Sequence, residues 1–390
     1  MRISLNRRSV TPHSAAMRLA LASAVALACP ASGQTPPTLV SPEIGVDRAV
    51  TFRLWAPSAS AVELSGNWMG ARPPAPLAKG ADGVWTVTIP PLEPNIYSYG
   101  FIVEGIRTAD PSCRCTFASA GRFVDSVLRI PGDTPRAWEA QNSPAGTLHH
   151  ERFRSARQQR TRQFVVYTPP GYEPAGTRRY PVLVLLPGTP GDENDWTSGG
   201  GFAEVMFDNL IARGEMVPMF VVMHASDALD RPGGRRSDQN LQEFEVILVD
   251  EVLPLLRARY RVDPQPESWA IAGLSLGGEF GMHVGLKHPE IFRSIGSLSG
   301  SLVQNSFDSR FVPWFTTPEA RRGAYSLIWL GCGSEDVFLD GTKAFAARLE
   351  AAGIKHVFRQ LNGPHSLAVA RLELAELLPL LFKPPAAPRR

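Results

Sequence analysis

The sequence predicts a chain in two parts: a small immunoglobulin-like β-sandwich, then a larger α/β domain with a mostly parallel sheet and helices on both faces. Three observations predict it. Residues 38–125 hold short alternating strands separated by Pro, Gly and Asn/Asp turns. From residue 161 fully apolar strands alternate with helix-length segments, the pattern of a parallel sheet covered on both sides. Of the 390 residues, 44% are hydrophobic and 20% charged, enough apolar surface for sizeable cores and the opposite of a disordered composition.

The first element, residues 1–33, reads as a signal peptide. Arg18 precedes the apolar run Leu19–Ala28, and Ala31-Ser32-Gly33 supplies small residues before Gln34. A charged start, a short apolar centre and a small-residue cleavage site form the secretory pattern, and the run is too short to span a bilayer. Met17 could equally be the initiator. Cys29 raises a lipoprotein alternative, a poor match because Ala26 stands three positions before it. The expectation is an exported protein, periplasmic or secreted, with no membrane span. The formal net charge is +3, and losing Arg2, Arg7, Arg8 and Arg18 with the signal leaves −1. A basic body for nucleic acid is therefore not indicated.

In the sandwich, Ala49–Trp55, Ala61–Ser65, Gly83–Ile89 and Tyr97–Val103 read as strands. Trp68, Trp85, Tyr97 and Tyr99 are candidates for stacking on sugar rings, although aromatics at strand spacing also build cores. Cys113 and Cys115 are two apart, awkward for a mutual disulfide, and no second pair completes a zinc site. Cys332, between glycines, reads as a packed thiol. Residues 126–160 read as a connector, 161–383 as the α/β domain and 384–390 as a Pro/Arg tail.

Within the α/β domain, Gln163–Tyr167, Pro181–Leu186, Met219–Met223, Ser268–Ala272, Ser294–Leu298, Leu327–Leu330 and His356–Gln360 are the expected strands. Helices are expected over Phe202–Arg213, near Leu241–Tyr260, after Ser275, and as an amphipathic segment over Leu367–Phe382.

The chemistry centres on Gly273-Leu274-Ser275-Leu276-Gly277, a G-x-S-x-G string between a strand and a helix. In that setting the glycines make room for a strained turn that thrusts the serine hydroxyl out at the strand's end. A serine needs a base, and the base needs an orienting carboxylate. Asp336 follows the Leu327–Leu330 strand, with Glu335 and Asp340 as neighbours in its loop, and His365 follows the next strand. The order Ser275, Asp336, His365 is that of the α/β-hydrolases. Two backbone N–H groups should face the developing oxyanion: Leu276, directly after the nucleophile, and Thr189 in Pro187-Gly188-Thr189-Pro190, since Pro190 has no N–H. Trp196, Trp314 and Phe315 are candidate substrate walls. No metal or cofactor is called for.

Residues 161–382 resemble the Putative esterase family of α/β-hydrolases, which includes feruloyl, acetylxylan and enterochelin esterases and relatives of S-formylglutathione hydrolase. The strings that carry the resemblance are Val166–Tyr172, Asp192–Trp196, Asp208–Ala212, Ile271–Gly278 and Leu330–Asp336. The stretch from Phe52 to Ser112 resembles the early-set sandwich modules that precede starch-acting enzymes and some esterases. The resemblance implies the triad Ser275, Asp336 and His365. Two departures bear on the acyl pocket: Pro187-Gly188 stands where the family usually has His-Gly, and aliphatic and small residues follow His365 where aromatics are common.

The expected function is an exported serine esterase acting on a small ester or an ester-decorated carbohydrate, with hydroxycinnamoyl or acetyl esters of plant cell-wall carbohydrate leading. Two alternatives stand beside it. One is a catecholate siderophore esterase, for which Arg231, Arg235 and Arg236 are candidate anion partners. The other is a non-catalytic carbohydrate-binding protein on a hydrolase fold.

Overall fold

The alternation in Val50–Trp55 puts Val50, Phe52 and Leu54 inward and their neighbours outward, as a half-buried strand requires. The computed structural model describes residues 36–119, 123–197, 200–226, 237–302, 311–315 and 323–383. The expected signal, the tail and Arg231, Arg235 and Arg236 lie outside them.

The N-terminal strands are β1 (Glu43–Ile44), β2 (Val50–Trp55), β3 (Val62–Gly66), β4 (Ala75–Pro76), β5 (Ala78–Lys79), β6 (Val84–Ile89), β7 (Asn95–Val103), β8 (Ile106–Thr108), β9 (Thr116–Ser119) and β10 (Phe123–Ile130). They form two antiparallel sheets, β1-β2-β6-β5 and β4-β3-β7-β10-β9, with β8 on β7. Phe52, Leu64, Tyr99 and Phe101 fill the space between them. Trp85, Tyr97 and Tyr99 are buried, their polar tips bonded to Ala56 O, Glu93 O and Asp110. Three of the four aromatics proposed for sugar are thus core residues, and only Trp68 keeps a partly open ring.

The expected connector over residues 126–160 is corrected. It contains most of β10, which pairs with β7, and β11 (Thr147–Ser155), which pairs with β12 (Arg160–Thr168). The link between the two folding units is residues 131–146. Pro and Gly in that link are real punctuation; β11, with two His and two Arg among its nine residues, carries little apolar signal.

The second unit continues with β13 (Val182–Leu186), α1 (Ala203–Ala212), β14 (Phe220–Met223), α2 (Asp238–Val246), a π-helical stretch (Ile247–Val252) and α3 (Leu253–Arg259). Then come β15 (Trp269–Leu274), α4 (Leu276–Lys287), β16 (Ser294–Leu298), α5 (Val312–Phe315), β17 (Leu327–Glu335), α6 (Leu339–Ala351), β18 (Val357–Pro364) and α7 (Leu367–Leu377). The sheet order is β11-β12-β14-β13-β15-β16-β17-β18. β11, β12 and β14 pair antiparallel, and all pairs from β14 through β18 are parallel. Alternate side chains of the buried strands feed opposite layers. Val182, Val184 and Leu186 belong to the same core layer as α2, α3, α4 and α6, while Leu183 and Leu185 belong to that of α1 and α7. Strand order reverses between β13 and β15, so a crevice opens at their carboxyl ends. Among the described residues no helix is long and apolar enough to cross a membrane.

Helix α7 departs from the amphipathic expectation, because both of its long faces are covered. Ala370, Leu374 and Leu377 pack on the sheet, while Ala368 joins the sandwich core. Between them Arg371 is 2% exposed and bonds to carbonyl oxygens from two places. Its Nη1 donates to Asn95 Oδ1 and Ile96 O, both at 2.9 Å, its Nη2 to Gly200 O at 2.6 Å, and its Nε to Gly201 O at 3.0 Å. Asn95 Nδ2 in turn donates to Ala368 O at 3.0 Å. Burial, with Arg129 adding to it, pulls the Arg371 guanidinium down to about 9, so it stays charged at neutral pH. A buried cation without acceptors is costly, and here those acceptors come from the sandwich and from the loop before α1. Arg371→Ala removes four hydrogen bonds to carbonyl oxygens, of which Asn95 Oδ1 alone is seen to keep another donor, the Ile96 N–H. It is expected to destabilise the protein by about 3–5 kcal/mol, read as a lower urea midpoint; an unchanged midpoint would refute the clamp.

Candidate active site

Ser275 joins β15 to α4 with φ 55° and ψ −118°, a conformation that L-residues adopt only when their surroundings enforce it. The enforcement is visible. Ser275 N–H donates to Leu298 O at 3.0 Å, and Ser275 O accepts from Glu279 N (3.1 Å) and Ser301 N (2.9 Å). The turn also needs bare backbone on either side. A Cβ on Gly277 would clash with Pro187 O, and one on Gly278 would lie 2.7 Å from Gly273 O and 2.8 Å from Gly300 Cα. Those contacts explain the glycines of the motif by close approach. The Ser275 side chain emerges at the switch-point crevice.

Leu276 is the first residue of α4, so its N–H has no acceptor within the helix and lies at the positive end of the helix dipole. The loop after β13 passes directly over Ser275; a Cβ on Gly188 would be 3.3 Å from Ser275 Cβ. Thr189 follows in that loop and lines the same cleft.

Asp336 stands just beyond β17, its side chain fully buried, and His365 just beyond β18, its side chain 30% exposed. Asp336 Oδ2 lies 2.8 Å from His365 Nδ1, and Asp336 Oδ1 accepts the Phe338 N–H at 2.9 Å. Burial alone would raise the Asp336 carboxyl. The bond to His365, its charge and the Phe338 N–H outweigh burial and hold the group below the usual carboxylate range. Phe338 packs edge-on to the imidazole at 5.0 Å, and Ser366 caps α7 by accepting from Val369 N–H. Both strands run further than expected, through Glu335 and Pro364, so Asp336 and His365 leave from strand ends and not from open loops.

Ser275 and His365 line one cleft of about 260 Å³ together with Gly188, Thr189, Pro190 and Leu274. Its other wall is the sandwich: Asn67, Ile96, Tyr97, Ser98 and Phe117. Arg371 and Asp195 also line it. Asp195 is pushed from 3.8 up to about 7 by burial, then by the Asp192 charge, against the Asp192 N–H that lowers it, with Glu193 raising it further.

The expected substrate walls are corrected. Trp196 is 1% exposed, and its ring N–H donates to Leu186 O at 2.9 Å, so it props the β13 loop from within the core. Trp314 is buried against Phe315, centroids 4.7 Å apart, and both pack into the α4 and α6 layer. Cys113, Cys115 and Cys332 are free thiols, and burial pushes the Cys332 thiol up to about 12, consistent with packing. Sequence reading missed Asp195, Arg371 and the sandwich wall. A signal existed for Arg371, a cation set among apolar residues in Leu367–Leu377; none existed for the wall, which only docking creates.

The chain belongs to the Putative esterase family, which it matches over residues 155–379, and residues 40–112 match carbohydrate-binding module 48, the isoamylase N-terminal domain. It is 30% identical over 350 residues to an endo-1,4-beta-xylanase/feruloyl esterase from Xylanibacter ruminicola, covering 88% of this chain and 46% of that protein. The chain thus spans less than half the length of that relative. Among solved structures, an enterobactin esterase from Shigella flexneri superposes with TM-score 0.68 at 20% identity, over 86% of this chain and 92% of its own. A ferulic acid esterase from Anaeromyces mucronatus gives TM-score 0.54 at 16% identity, over 65% of this chain and 98% of its own. These two likenesses are of fold.

The folded chain holds the Asp195 proton up to about pH 7, whereas an unfolded chain releases it near the ordinary 3.8. Between those values the folded state binds more protons, so the contribution of Asp195 to stability falls as pH rises through that window. Asp195→Asn is expected to raise the Tm at pH 8 and leave it unchanged at pH 4. Equal shifts at both pH values would show that the carboxyl is not held protonated.

Proposed function

We propose that the chain is a serine esterase of α/β-hydrolase architecture, with Ser275 as nucleophile, His365 as general base and Asp336 as the carboxylate that orients it. The carrying observation is the strained Ser275 turn opening into the same cleft as a histidine bonded to a buried, ionised aspartate. The strand order and the position of the serine at the switch point support the architecture.

Ser275 Oγ attacks the ester carbonyl carbon while His365 Nε2 takes its proton. The Leu276 and Thr189 N–H groups hold the oxyanion. Collapse expels the alcohol, protonated by His365, and leaves an acyl-enzyme; water activated by the same histidine then releases the acid. Asp336 keeps Nδ1 protonated and the ring aimed throughout.

A carbohydrate ester is the substrate class the surroundings favour. A second groove of about 540 Å³ adjoins the cleft, and Tyr97 and Ser366 line both. Its lining includes Trp68, Arg136, Glu335, Gln360 and Asn362, a partly open aromatic among hydrogen-bonding groups. The Trp68 ring lies so close to Gly66 that any side chain there would clash, and it stacks on Phe52 at 6.0 Å. The acyl group would occupy the cleft and the sugar the groove. The feruloyl esterase relative and the carbohydrate-binding module match support this reading. A siderophore ester is the second reading, favoured by the enterobactin esterase fold match over both halves of the chain. The segment 1–33 supports export.

Ser275→Ala is expected to lower ester turnover by about 10³-fold or more with the fold retained. A fluorophosphonate should label Ser275 in the parent; labelling at another serine would overturn the assignment. On substrates, kcat/KM should be higher for feruloylated xylo-oligosaccharide than for a catecholate siderophore. Trp68→Ala should cut the former about tenfold, ~1.4 kcal/mol, and spare methyl ferulate. A siderophore cleaved ~100-fold better than either ferulate would replace the carbohydrate reading.

A further inference from the structure

The cavities around Ser275 do not end at the groove that adjoins the cleft. A third hollow of about 370 Å³ follows it, with a lining that includes Thr134, Arg136, Trp138, Arg213, Leu361 and Glu376. It shares Arg136, Leu361 and Leu372 with the groove, as the groove shares Tyr97 and Ser366 with the cleft. Helix α7 sets the three in one line. Its N-cap Ser366 lines cleft and groove, Ala368, Val369 and Leu372 line the groove, and Leu372, Ala375 and Glu376 line the hollow. Positions 368, 369, 372, 375 and 376 recur at three- and four-residue spacing, so they form one stripe along the helix. From Ser366 to Glu376 the helix rises about 15 Å, a line longer than one sugar ring.

Another wall of this line is the link over residues 131–146, and its neighbours hold it in place. Asn209 on α1 is buried; its Nδ2 donates to Ala137 O at 2.7 Å and Glu139 O at 2.8 Å, and its Oδ1 accepts from Ser143 Oγ at 2.8 Å. Trp138 is buried as well. Arg136 N–H donates to Glu139 Oε2 at 3.1 Å, Arg136 O accepts from Gln141 Nε2 at 2.9 Å, and Gln141 Oε1 accepts from Arg213 Nη2 at 2.9 Å. The Arg136 backbone is thus fixed, yet its guanidinium bonds to no described residue. The side chains of Glu335, Gln360 and Asn362 in the groove are exposed and likewise bond to no described residue. A head group presented by a loop already in place spares a ligand the work of ordering it. Guanidinium N–H groups donate, carboxylates accept, and amides and sugar hydroxyls do both. A rim of this mixed kind pairs with ring hydroxyls, whereas an alkyl chain would leave it unpaired.

We propose that the hollow is a distal saccharide subsite, in which Arg136 and Arg213 donate to hydroxyls of a polysaccharide chain beyond the sugar that carries the ester. The proposal rests on the carbohydrate reading under Proposed function and extends it from one sugar to a chain. The acyl group lies at Ser275 and the esterified ring in the groove beside Trp68. The chain continues along α7 past Arg136 towards Glu376, which pairs with Arg359 at 3.2 Å. Arg136 lines both groove and hollow, so it meets the chain where it passes from one to the other. This end of the molecule selects for the length of the saccharide and not for the ester.

The test measures kcat and KM for the parent, Arg136→Ala, Arg213→Ala and Trp68→Ala on methyl ferulate and on feruloylated xylo-oligosaccharides of increasing length. In the parent, kcat/KM is expected to rise about tenfold from the shortest feruloylated saccharide to the longest, chiefly through KM. In Arg136→Ala and Arg213→Ala that rise is expected to shrink to about twofold or less. Both arginines are exposed, so the variants are expected to fold as the parent does. A parent that gains nothing from length, or variants that keep the full gain, would overturn the subsite. So would an equal loss on methyl ferulate, which places the effect at the reacting ester. Trp68→Ala separates this failure from that of the wider reading. If it cuts kcat/KM on the shortest feruloylated saccharide while length has no effect, the carbohydrate reading stands and the subsite alone falls. If no feruloylated saccharide is cleaved better than methyl ferulate, both fall together.

Discussion

A guanidinium buried between two folding units needs acceptors from both, and Arg371 makes that requirement the pivot of the molecule. Its partners Asn95 and Ile96 belong to a sandwich strand, Gly200 and Gly201 to the loop before α1, and Arg371 itself to the helix that begins just after His365. Satisfying this one cation docks the sandwich, seats the loop and fixes α7. Neighbouring contacts reinforce the joint: Arg129 covers the Phe202 ring at 4.5 Å, and Phe117 lies against Gly200, where φ is +101°. The sandwich is therefore part of the cleft's construction, and its residues form one wall of it.

Three carboxyl groups near the site experience three different environments. Asp336 is buried yet held ionised, because a histidine and a backbone N–H face it. Asp195 is partly buried beside other acids, and its proton affinity rises into the neutral range. Glu373 is wholly buried with a single hydroxyl for company, and burial pushes it well above the usual carboxylate range. The same functional group is thus shifted down, up into the neutral range, or well above the usual range, according to which partners the fold brings within reach.

Two of the seven non-glycine residues with positive φ among the described residues lie near the candidate triad. Positive φ at Ser275 and Ser299 falls where backbone bonds to neighbouring strands over-determine the turn, and both residues belong to the candidate catalytic region. The glycines around Ser275 serve a different need, since backbone crosses backbone there and no Cβ fits.

Much of this was legible locally. Alternation in Val50–Trp55 and unbroken apolar runs such as Val182–Leu186 report directly on which faces are buried, because side-chain period follows strand geometry. Gly273–Gly277 with Asp336 and His365 downstream identified the candidate triad, because strand–turn–helix context can be read from neighbours in sequence. Trp196, Trp314 and Phe315 were misjudged as substrate walls because an aromatic ring looks the same in sequence whether it faces solvent or core. Glu373 resembles an ordinary solvated helix charge, and Arg371 stands out only as a cation among apolar residues, which does not say what buries it. Their burial depends on a strand 276 residues away, on a loop and on the turn after β16. By itself, then, the sequence set most of the strands and helices and marked the serine turn as the candidate nucleophile, because these depend on short-range pattern. Only the tertiary structure decided which charges are buried, which aromatics stay open and that the sandwich walls the cleft, because those outcomes depend on desolvation and on contacts between segments far apart in the chain.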